Sequence, residues 1–201
     1  PMASAQDFLK SALLIAMPSL KDPRFERSVV LLCEHDARHA FGLIINKPIN
    51  DVAMSEVLEK LDVHADDAEG AGPVYYGGPV GMDRGSVLHS LDYRAESTVE
   101  VAPEIGLTMT RDIVVDIASS RRRQPPPRRH VFAIGYAGWG EGQLESEIAA
   151  NSWAHCGFDA DILFARDPST IWEKALSKLG VTAAMLGGPW IKERAAGAPL
   201  H

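Results

Sequence analysis

The sequence contains little cysteine, and its cysteines form no pattern that binds a metal or builds a disulfide framework. Cys33 and Cys156 lie in separate apolar runs, where a buried free thiol is common. No C-x-x-C pair is present, so we expect neither a structural zinc site nor any other cofactor. Because disulfides persist in oxidising compartments, free thiols favour the cytoplasm as the location.

A long hydrophobic segment is also missing. A membrane-spanning helix needs about 20 consecutive apolar residues, whereas the run at 12–17 ends at Pro18 and lacks a small-residue cleavage pattern. It therefore indicates a strand rather than a signal peptide, and we expect no membrane partner. Residues 1–6 are interpreted as a flexible start outside the fold.

Positive charge is scarce, since 20 Lys and Arg face 27 Asp and Glu and give a formal net charge of −7. Non-specific nucleic-acid affinity comes mainly from cations that neutralise phosphates, so broad nucleic-acid binding is disfavoured. The charge is uneven, however. Residues 62–104 hold nine acidic and two basic side chains, whereas the segment RRRQPPPRR at 121–129 holds five arginines and no acid.

This basic segment is the one place where the sequence allows a nucleic-acid interface, with solvated arginines as the alternative. Its three consecutive prolines exclude a helix or a central strand and favour a stiff polyproline II connection. We therefore predict an exposed loop over residues 120–129. The candidate nucleic-acid contacts are Arg121, Arg122, Arg123, Arg128 and Arg129.

Short apolar runs bounded by turn residues predict a fold rich in strands. Strands are predicted at 11–16, 28–34, 40–46, 74–76, 86–90, 98–102, 131–137 and 161–165, and helices at 54–61, 111–119, 143–152 and 169–179. Strict alternation of strand and helix is missing. The pattern therefore indicates one α+β domain over residues 1–201, with a mixed, largely antiparallel sheet.

Sequence patterns for several common enzyme classes are absent. There is no G-x-x-x-x-G-K-[ST] phosphate loop, no G-x-S-x-G nucleophile elbow and no H-E-x-x-H zinc helix. The run at 138–142 follows a strand and precedes a helix, as a dinucleotide-binding turn does. Its glycine spacing is nevertheless G-x-G-x-G rather than G-x-G-x-x-G, so a dinucleotide site is disfavoured.

The strand end that carries Cys33 and His35 is the strongest candidate for covalent chemistry. Alternate residues of a strand share a face, so these side chains could point the same way, and His89 could complete a Cys/His site. The alternative is that Cys33 is a small buried hydrophobe and His35 a hydrogen-bonded strand-end residue. No paired base can be identified from the sequence.

A second candidate region begins at Trp139, which stands between two glycines that let backbones approach closely. It is interpreted either as a packing residue or as one wall of a binding cleft. Gln143 and Glu145 follow at the start of a helix. Free N–H groups there could bind an anion, although early acidic residues also compensate the helix dipole.

Several blocks, in order along the chain, resemble the YqgE/AlgH family. They are AMP at 16–18, DPRFERSVV at 22–30, CEH at 33–35, GLIINKP at 42–48, GGPV at 77–80, RGSVLH at 84–89, LT at 107–108, RD at 111–112 and GYAGWGEGQLESEI at 135–148, with Asn151 and Trp153. The last long block is the most specific. Together the blocks cover about residues 11 to 180, so the resemblance extends over most of the chain.

The resemblance implies a compact α+β domain from a bacterial cytoplasm, whose bifurcated sheet forms a pseudo-barrel flanked by short helices. It supplies no catalytic residues and no cofactor; one branch of the family carries a transcriptional-regulator label. Two regions depart from the family pattern. The arginine-proline segment replaces a shorter connection, and the tail at 181–201 differs from the usual short ending.

These observations favour a non-enzymatic regulatory or adaptor protein that binds a protein partner, with a possible role in transcription. The candidate contact residues are His35, Arg84, His89, Trp139, Gln143 and Glu145. Two other functions remain open at this point. One is direct nucleic-acid binding through the arginine-proline loop, and the other is an enzyme with a Cys/His site.

Overall fold

The computed structural model describes residues 8–186, which fold around one nine-stranded sheet with short helices packed against it. In chain order the elements are β1 (Leu13–Ala16), β2 (Val29–His35), β3 (Ala40–Ile44), α1 (Met54–Lys60), β4 (Val74–Tyr76), β5 (Val80–Ser90), β6 (Val99–Ala102), β7 (Ile105–Thr108), α2 (Arg111–Ala118), β8 (His130–Trp139), α3 (Gln143–Ala149), β9 (Trp153–Cys156), α4 (Ala160–Leu163) and α5 (Ile171–Ser177). A single 3-10 turn, Pro168–Thr170, precedes α5.

The sheet divides at β8. Its strands follow the order β6-β7-β5-β8-β3-β2-β1-β9, with β4 attached to β8 outside this path, and only the β4–β8 pair is parallel. Residues 132–134 of β8 pair with both β4 and β5, whereas residues 137–139 pair with β3. The sheet curls into a half-barrel, which confirms the predicted α+β class and the bifurcated, largely antiparallel sheet.

Strands β1 and β2 are covered on both faces, as their near-continuous apolar sequence predicts. On one face Leu13 and Leu31 belong to a cluster with Trp172 of α5, and on the other Leu14 belongs to a cluster with Trp153. A third cluster joins α1 and α2 to the β5–β8 pair. Each fully buried side chain of this size contributes about 1.5–3 kcal/mol, so these clusters fix the sheet in place.

One predicted element after residue 150 is wrong, and one predicted helix ends earlier than expected. The segment 161–165, expected as a strand, begins inside α4, because the Asp159 carboxylate caps a helix by accepting a hydrogen bond from the Asp161 N–H. The strand of this region is instead β9, which pairs with β1. The helix expected over 143–152 ends at Ala149, which leaves room for that strand.

The arginine-proline segment 120–129 is a loop that is exposed at most positions, while Pro127 is buried and Pro126 half-buried. In the divergent tail, Val181 and Leu186 pack against the main core cluster. The predicted flexible start and the remainder of the tail, 187–201, lie outside the described residues. Within residues 8–186, no helix has the length and apolarity that a bilayer crossing requires.

Candidate functional site

The first half of β5 separates from the strands around it. Val80 pairs with Tyr136 of β8, and the next paired residue of β5 is Gly85, opposite Ile134. Four residues of β5, 81–84, therefore lie opposite one residue of β8, Gly135, which stands between Ile134 and Tyr136. This is a large β-bulge, and bulges frequently adjoin functional sites because they redirect side chains.

Gly135 makes the bulge possible. Its φ of +75° lies in the left-handed region, which glycine adopts readily. A Cβ atom at this position would lie 2.2 Å from the Gly78 carbonyl oxygen and 2.7 Å from the Met82 sulfur. The backbone of β8 therefore packs directly under the bulged segment, and only a glycine leaves the space for it.

The second neighbour of β5 leaves the sheet at the same place. β7 pairs with β5 from Val87 to Ser90, and its last paired residue is Thr108. Beyond Thr108 the chain turns away into α2. Among residues 8–186, no strand consequently pairs with residues 81–86 of β5 on the side of β7.

Two adjoining cavities occupy the space that this separation opens, and we call them together the β5 groove. The larger encloses about 740 Å³ and is lined by Val52, Val57, Lys60, Leu61, Met82, Asp83, Arg84, Gly85, Ser86, Val87, Thr108, Met109, Thr110, Arg111, Val114, Phe132 and Ile134. The smaller encloses about 550 Å³ and extends to Glu34, His39, Ala40, Phe41, Val80, Gly135, Tyr136, Gly138 and Trp139. Both are lined by Arg84, Gly85, Ser86 and Met109, so the two cavities adjoin at these residues.

The β5 groove exposes apolar side chains that a free surface normally hides. Val80, Met82 and Met109 are three of the six large apolar residues that are exposed within residues 8–186. Met109 is 64% exposed, and unbranched methionine adapts readily to different contact partners. Exposed apolar patches beside a cavity are typical of binding sites.

The larger cavity of the groove carries more positive than negative side chains, although the chain as a whole is acidic. Lys60, Arg84 and Arg111 line the larger cavity, and Asp83 is the one acidic residue there. The Nε–H of Arg111 donates a hydrogen bond to the Leu61 carbonyl oxygen at 2.7 Å. This bond orients the guanidinium but does not neutralise its charge. No carboxylate of the described residues forms an ion pair with any of these three cations, so the groove favours an anionic occupant.

Of the six predicted contact residues, the structure brings Arg84 and Trp139 to the β5 groove. Trp139 is itself buried, and its indole N–H donates to Oε1 of Glu147 at 3.1 Å. Gln143 donates to the other oxygen of the same carboxylate at 3.0 Å and accepts from the Gly140 N–H. Gln143 therefore supports the turn into α3 and does not line the groove.

His35 and Glu145 bind each other. The Leu9 N–H donates to Nδ1 of His35 at 2.8 Å, so this nitrogen is the acceptor and Nε2 carries the proton that is donated to the Glu145 carboxylate. The His35 side chain is buried. This pair fastens the segment before β1 to α3, away from the residues that line the groove.

His89 lies inside the fold, which corrects its assignment to a contact surface. Its Nδ1–H donates to the Ser90 carbonyl oxygen at 2.9 Å, and its Nε2 accepts from the Thr108 hydroxyl at 2.8 Å. Thr98 extends this chain to Thr108. Burial lowers the pKa of His89, so the neutral ring is the form that the fold accommodates.

The cysteine of the predicted Cys/His site lies in the core. Burial raises the pKa of the Cys33 thiol to about 12, so the reactive thiolate is disfavoured. Within the described residues its sulfur contacts the Leu31 carbonyl oxygen at 3.6 Å and has no histidine partner. No group of three or more His, Cys, Asp or Glu in this part of the chain is placed to hold a metal.

The five arginines of the loop do not form one free patch. Arg123 lies 3.2 Å from Asp112 and 3.8 Å from the buried Asp116. Arg129 stacks on Phe164, with 4.9 Å from its guanidinium carbon to the ring centroid, and contacts Asp161. Arg122 donates to the Ser119 carbonyl oxygen. Arg121 and Arg128 are exposed, without a side-chain bond in the described part of the chain.

Sequence reasoning missed most of the groove. Lys60 lies in the helix predicted at 54–61, and Met82 and Met109 fall between predicted elements, because the bulge that exposes them depends on pairing with distant strands. A usable signal was present in Met82 and Met109 themselves. Each is a large apolar residue among polar or small neighbours, which is unusual for a solvated turn.

Known proteins agree with the fold and with the motif blocks. A family model described as AlgH-like matches residues 13–184. A UPF0301 protein of Ruegeria pomeroyi is 46% identical over 180 residues, covering 89% of this chain and 95% of that relative. One of Caulobacter vibrioides is 44% identical over 178 residues, covering 88% and 90%. The solution structure of the AlgH protein from Pseudomonas aeruginosa is similar with a TM-score of 0.76 at 36% identity, covering 94% of this chain and 97% of that one. On these matches the chain belongs to the AlgH-like family.

Proposed function

We propose that the protein is a non-enzymatic adaptor that holds a partner protein in the β5 groove. One observation carries the proposal: Val80, Met82 and Met109 are exposed in the same groove as Arg84, whose guanidinium pairs with no carboxylate of the described residues. An apolar surface supplies binding energy when water leaves it. A charge that has no carboxylate partner within residues 8–186 supplies selectivity for a partner of opposite sign.

The dimensions of the groove support a chain segment as the occupant. Each cavity, at about 740 and 550 Å³, falls within the range of ligand sites, about 300–1,000 Å³. The two adjoin at Arg84 and Met109, so together they offer a larger surface than either cavity alone. Such a surface suits an elongated segment of a protein better than a compact small molecule.

The two other candidate functions have less support. Direct nucleic-acid binding would need the loop arginines as free cations, but Arg123 and Arg129 are engaged with carboxylates. A Cys/His enzyme would need a reactive thiolate, but Cys33 is buried and its pKa is raised. A role in transcription would then depend on the partner protein rather than on direct contact with DNA.

Photo-cross-linking from the groove tests this proposal. Benzoylphenylalanine is incorporated at Met109, or at Val99 of β6, outside the groove, as a control of similar exposure (64% and 58%). In native cells we expect a discrete cross-linked protein from position 109 and none from position 99. Arg84→Glu should abolish the cross-link, while Arg94→Glu, an exposed arginine outside the groove, should leave it unchanged.

Direct binding completes the test. The protein identified by cross-linking, once purified, should bind the wild-type chain at least about tenfold more tightly than the Arg84→Glu variant, a difference of about 1.4 kcal/mol. Circular dichroism checks that the variant is folded. Identical cross-links from positions 99 and 109, or equal affinity of both Arg variants, would overturn the proposal.

A further inference from the structure

We propose that the partner brings two chemically different parts to the β5 groove: a large aromatic side chain that enters the smaller cavity, and acidic residues, close to it in sequence, that contact the larger cavity. This inference rests on the proposed function. It goes further because it specifies which chemical group occupies each cavity. It sets no requirement on the backbone conformation of the bound segment.

The larger cavity carries most of the positive charge of the groove. Lys60, Arg84 and Arg111 line it together with one carboxylate, that of Asp83. The guanidinium of Arg111 is held by two hydrogen bonds to backbone carbonyl oxygens just after α1, and Lys60 and Arg84 are exposed. A cleft lined mainly by one sign of charge attracts groups of the opposite sign. Acidic side chains of a partner therefore bind at this cavity.

The smaller cavity has a more balanced charge. Besides Arg84, which lines both cavities, its charged residues are Glu34 and His39, and Oε2 of Glu34 lies 3.4 Å from Nε2 of His39. When this imidazole is neutral, the Glu34 carboxylate offsets the charge of Arg84; when it is protonated, one excess positive charge remains. An acidic group is therefore attracted less strongly to the smaller cavity than to the larger one.

Aromatic rings distinguish the smaller cavity. Phe41 and Tyr136 line it, their ring centroids lie 4.9 Å apart, and both residues are half-buried. Glycines flank the Tyr136 ring: a Cβ atom would lie 3.0 Å from its Cε1 at Gly81 and 3.6 Å from its Cε2 at Gly138. Because glycine has no side chain, the ring is not covered by side chains from these two positions.

A large aromatic side chain is the group that this lining favours. Aromatic rings pack edge to face or offset on one another with centroids about 4.5–7 Å apart, and this packing adds to the gain from apolar burial. The cavity, at about 550 Å³, has room for such a side chain. Aromatic residues that fill pockets supply much of the binding energy at protein interfaces. We call this residue of the partner the anchor.

The anchor and the acidic residues must lie close together in the partner. Arg84 and Met109 line both cavities, so a group bound in one cavity is adjacent to groups bound in the other. One short segment can supply both. An acidic segment without an aromatic residue would leave the rings of the smaller cavity in contact with water, and an aromatic segment without acidic residues would leave the cations unpaired.

Selection from a peptide library tests the inference. Short random peptides displayed on phage are selected on the wild-type protein, with the Arg84→Glu variant present as a soluble competitor, and in parallel on Arg94→Glu as the matched control target. We expect both selections to enrich peptides that combine Trp, Phe or Tyr with several acidic residues. Synthetic versions should bind Arg94→Glu as they bind wild type.

Two substitutions then separate the two cavities. Lys60→Glu reverses a charge in the larger cavity, and Lys174→Glu, at an exposed lysine of α5 outside the groove, is its control. Gly138→Leu places a side chain beside the Tyr136 ring in the smaller cavity. Its control is Gly140→Leu, where a Cβ would meet no atom within 4 Å. Circular dichroism checks that each variant is folded.

The affinities of matched peptides give the result. Lys60→Glu and Gly138→Leu should each weaken binding of the selected peptide at least about tenfold, and their controls should not change it. A peptide whose acidic residues are replaced by Asn and Gln should bind the wild type more weakly and become insensitive to Lys60→Glu. A peptide whose anchor is replaced by Ala should likewise become insensitive to Gly138→Leu, since each pair of changes then removes the same contact.

Three outcomes would overturn this inference. The first is enrichment of acidic peptides that lack an aromatic residue, or whose anchor can be replaced by Ala without loss of affinity; this outcome leaves the proposed function intact. The second is enrichment of no peptide above the Arg84→Glu background, in which case the cross-linking experiment decides separately on the groove. The third is self-association of the wild-type chain in analytical ultracentrifugation that Arg84→Glu abolishes, because the occupant is then a second copy of this chain.

Discussion

The carboxylate of Glu147 holds together the region encoded by the longest motif block. Its Oε1 accepts hydrogen bonds from the indole N–H groups of Trp139 at 3.1 Å and Trp153 at 3.0 Å, and its Oε2 accepts one from Gln143. Both indoles are buried and pack edge to face at 6.0 Å. These residues therefore fix the end of β8, from which Trp139 also lines the β5 groove.

Removing this carboxylate should destabilise the protein strongly. Glu147→Ala leaves two indole N–H groups without an acceptor, and each unsatisfied buried donor costs about 1–3 kcal/mol. We expect the free energy of unfolding, measured in urea, to fall by about 2–4 kcal/mol. Glu147→Gln retains one acceptor oxygen and should lose less. Glu141→Ala, an exposed neighbour, serves as the control; an equal effect of Glu141→Ala and Glu147→Ala would contradict this role.

At the scale of elements, the sequence predicts a helix correctly where its apolar spacing or its capping residues lie within the helix or directly beside it. The apolar spacing of α1 and the Asp167-Pro168 start of the final helical segment are both confirmed, and the Asp167 side chain accepts from the Ser169 N–H. At 161–165 the apolar residues suggested a strand, and the helix cap at Asp159 decided otherwise. A run of five residues is too short for periodicity to separate the two structures.

The β5 groove could not be predicted in the same way. Arg84 and Trp139 were identified through motif blocks, but the separation of β5 from both neighbours depends on its register with β7 and β8. Register is set between strands that are distant in sequence. No local pattern therefore predicts that residues 81–84 of β5 lie opposite the single residue Gly135 of β8. His89 was misplaced for the same reason, since its partner Thr108 belongs to another strand.

The bulge in β5 should depend on Gly135. Gly135→Ala places a Cβ within 2.2 Å of the Gly78 carbonyl oxygen at a φ of +75°, so backbone strain adds to the clash. We expect a loss of about 2 kcal/mol or more in the free energy of unfolding. The matched control is Gly140→Ala, where a Cβ would meet no atom within 4 Å. Equal stability of the two variants would show that the bulge adapts without strain.

At the scale of the whole molecule, the buried His89 and the half-buried His130 link its stability to pH. His89 of β5 and His130 of β8 are partners in the strand register. Nε2 of His130 donates to the Ala71 carbonyl oxygen at 2.7 Å, and His89 is held between Ser90 and Thr108. Burial lowers the pKa of both rings, and protonating either would place a charge in the interior.

The free energy of unfolding should therefore decrease as the pH falls from about 7 to about 5. The stabilising effect of a neutral buried histidine is complete above the unfolded-state pKa of about 6.5. It is lost below that value, towards the folded-state pKa, because the unfolded chain then binds a proton that the folded chain does not. Each histidine contributes up to about 1.4 kcal/mol per pH unit. In urea titrations across this range, His89→Gln and His130→Gln should each reduce the slope, whereas His64→Gln, at an exposed position, should preserve it. If the free energy of unfolding depends on pH equally in the wild type and in all three variants, His89 and His130 do not cause the sensitivity of the fold to acid.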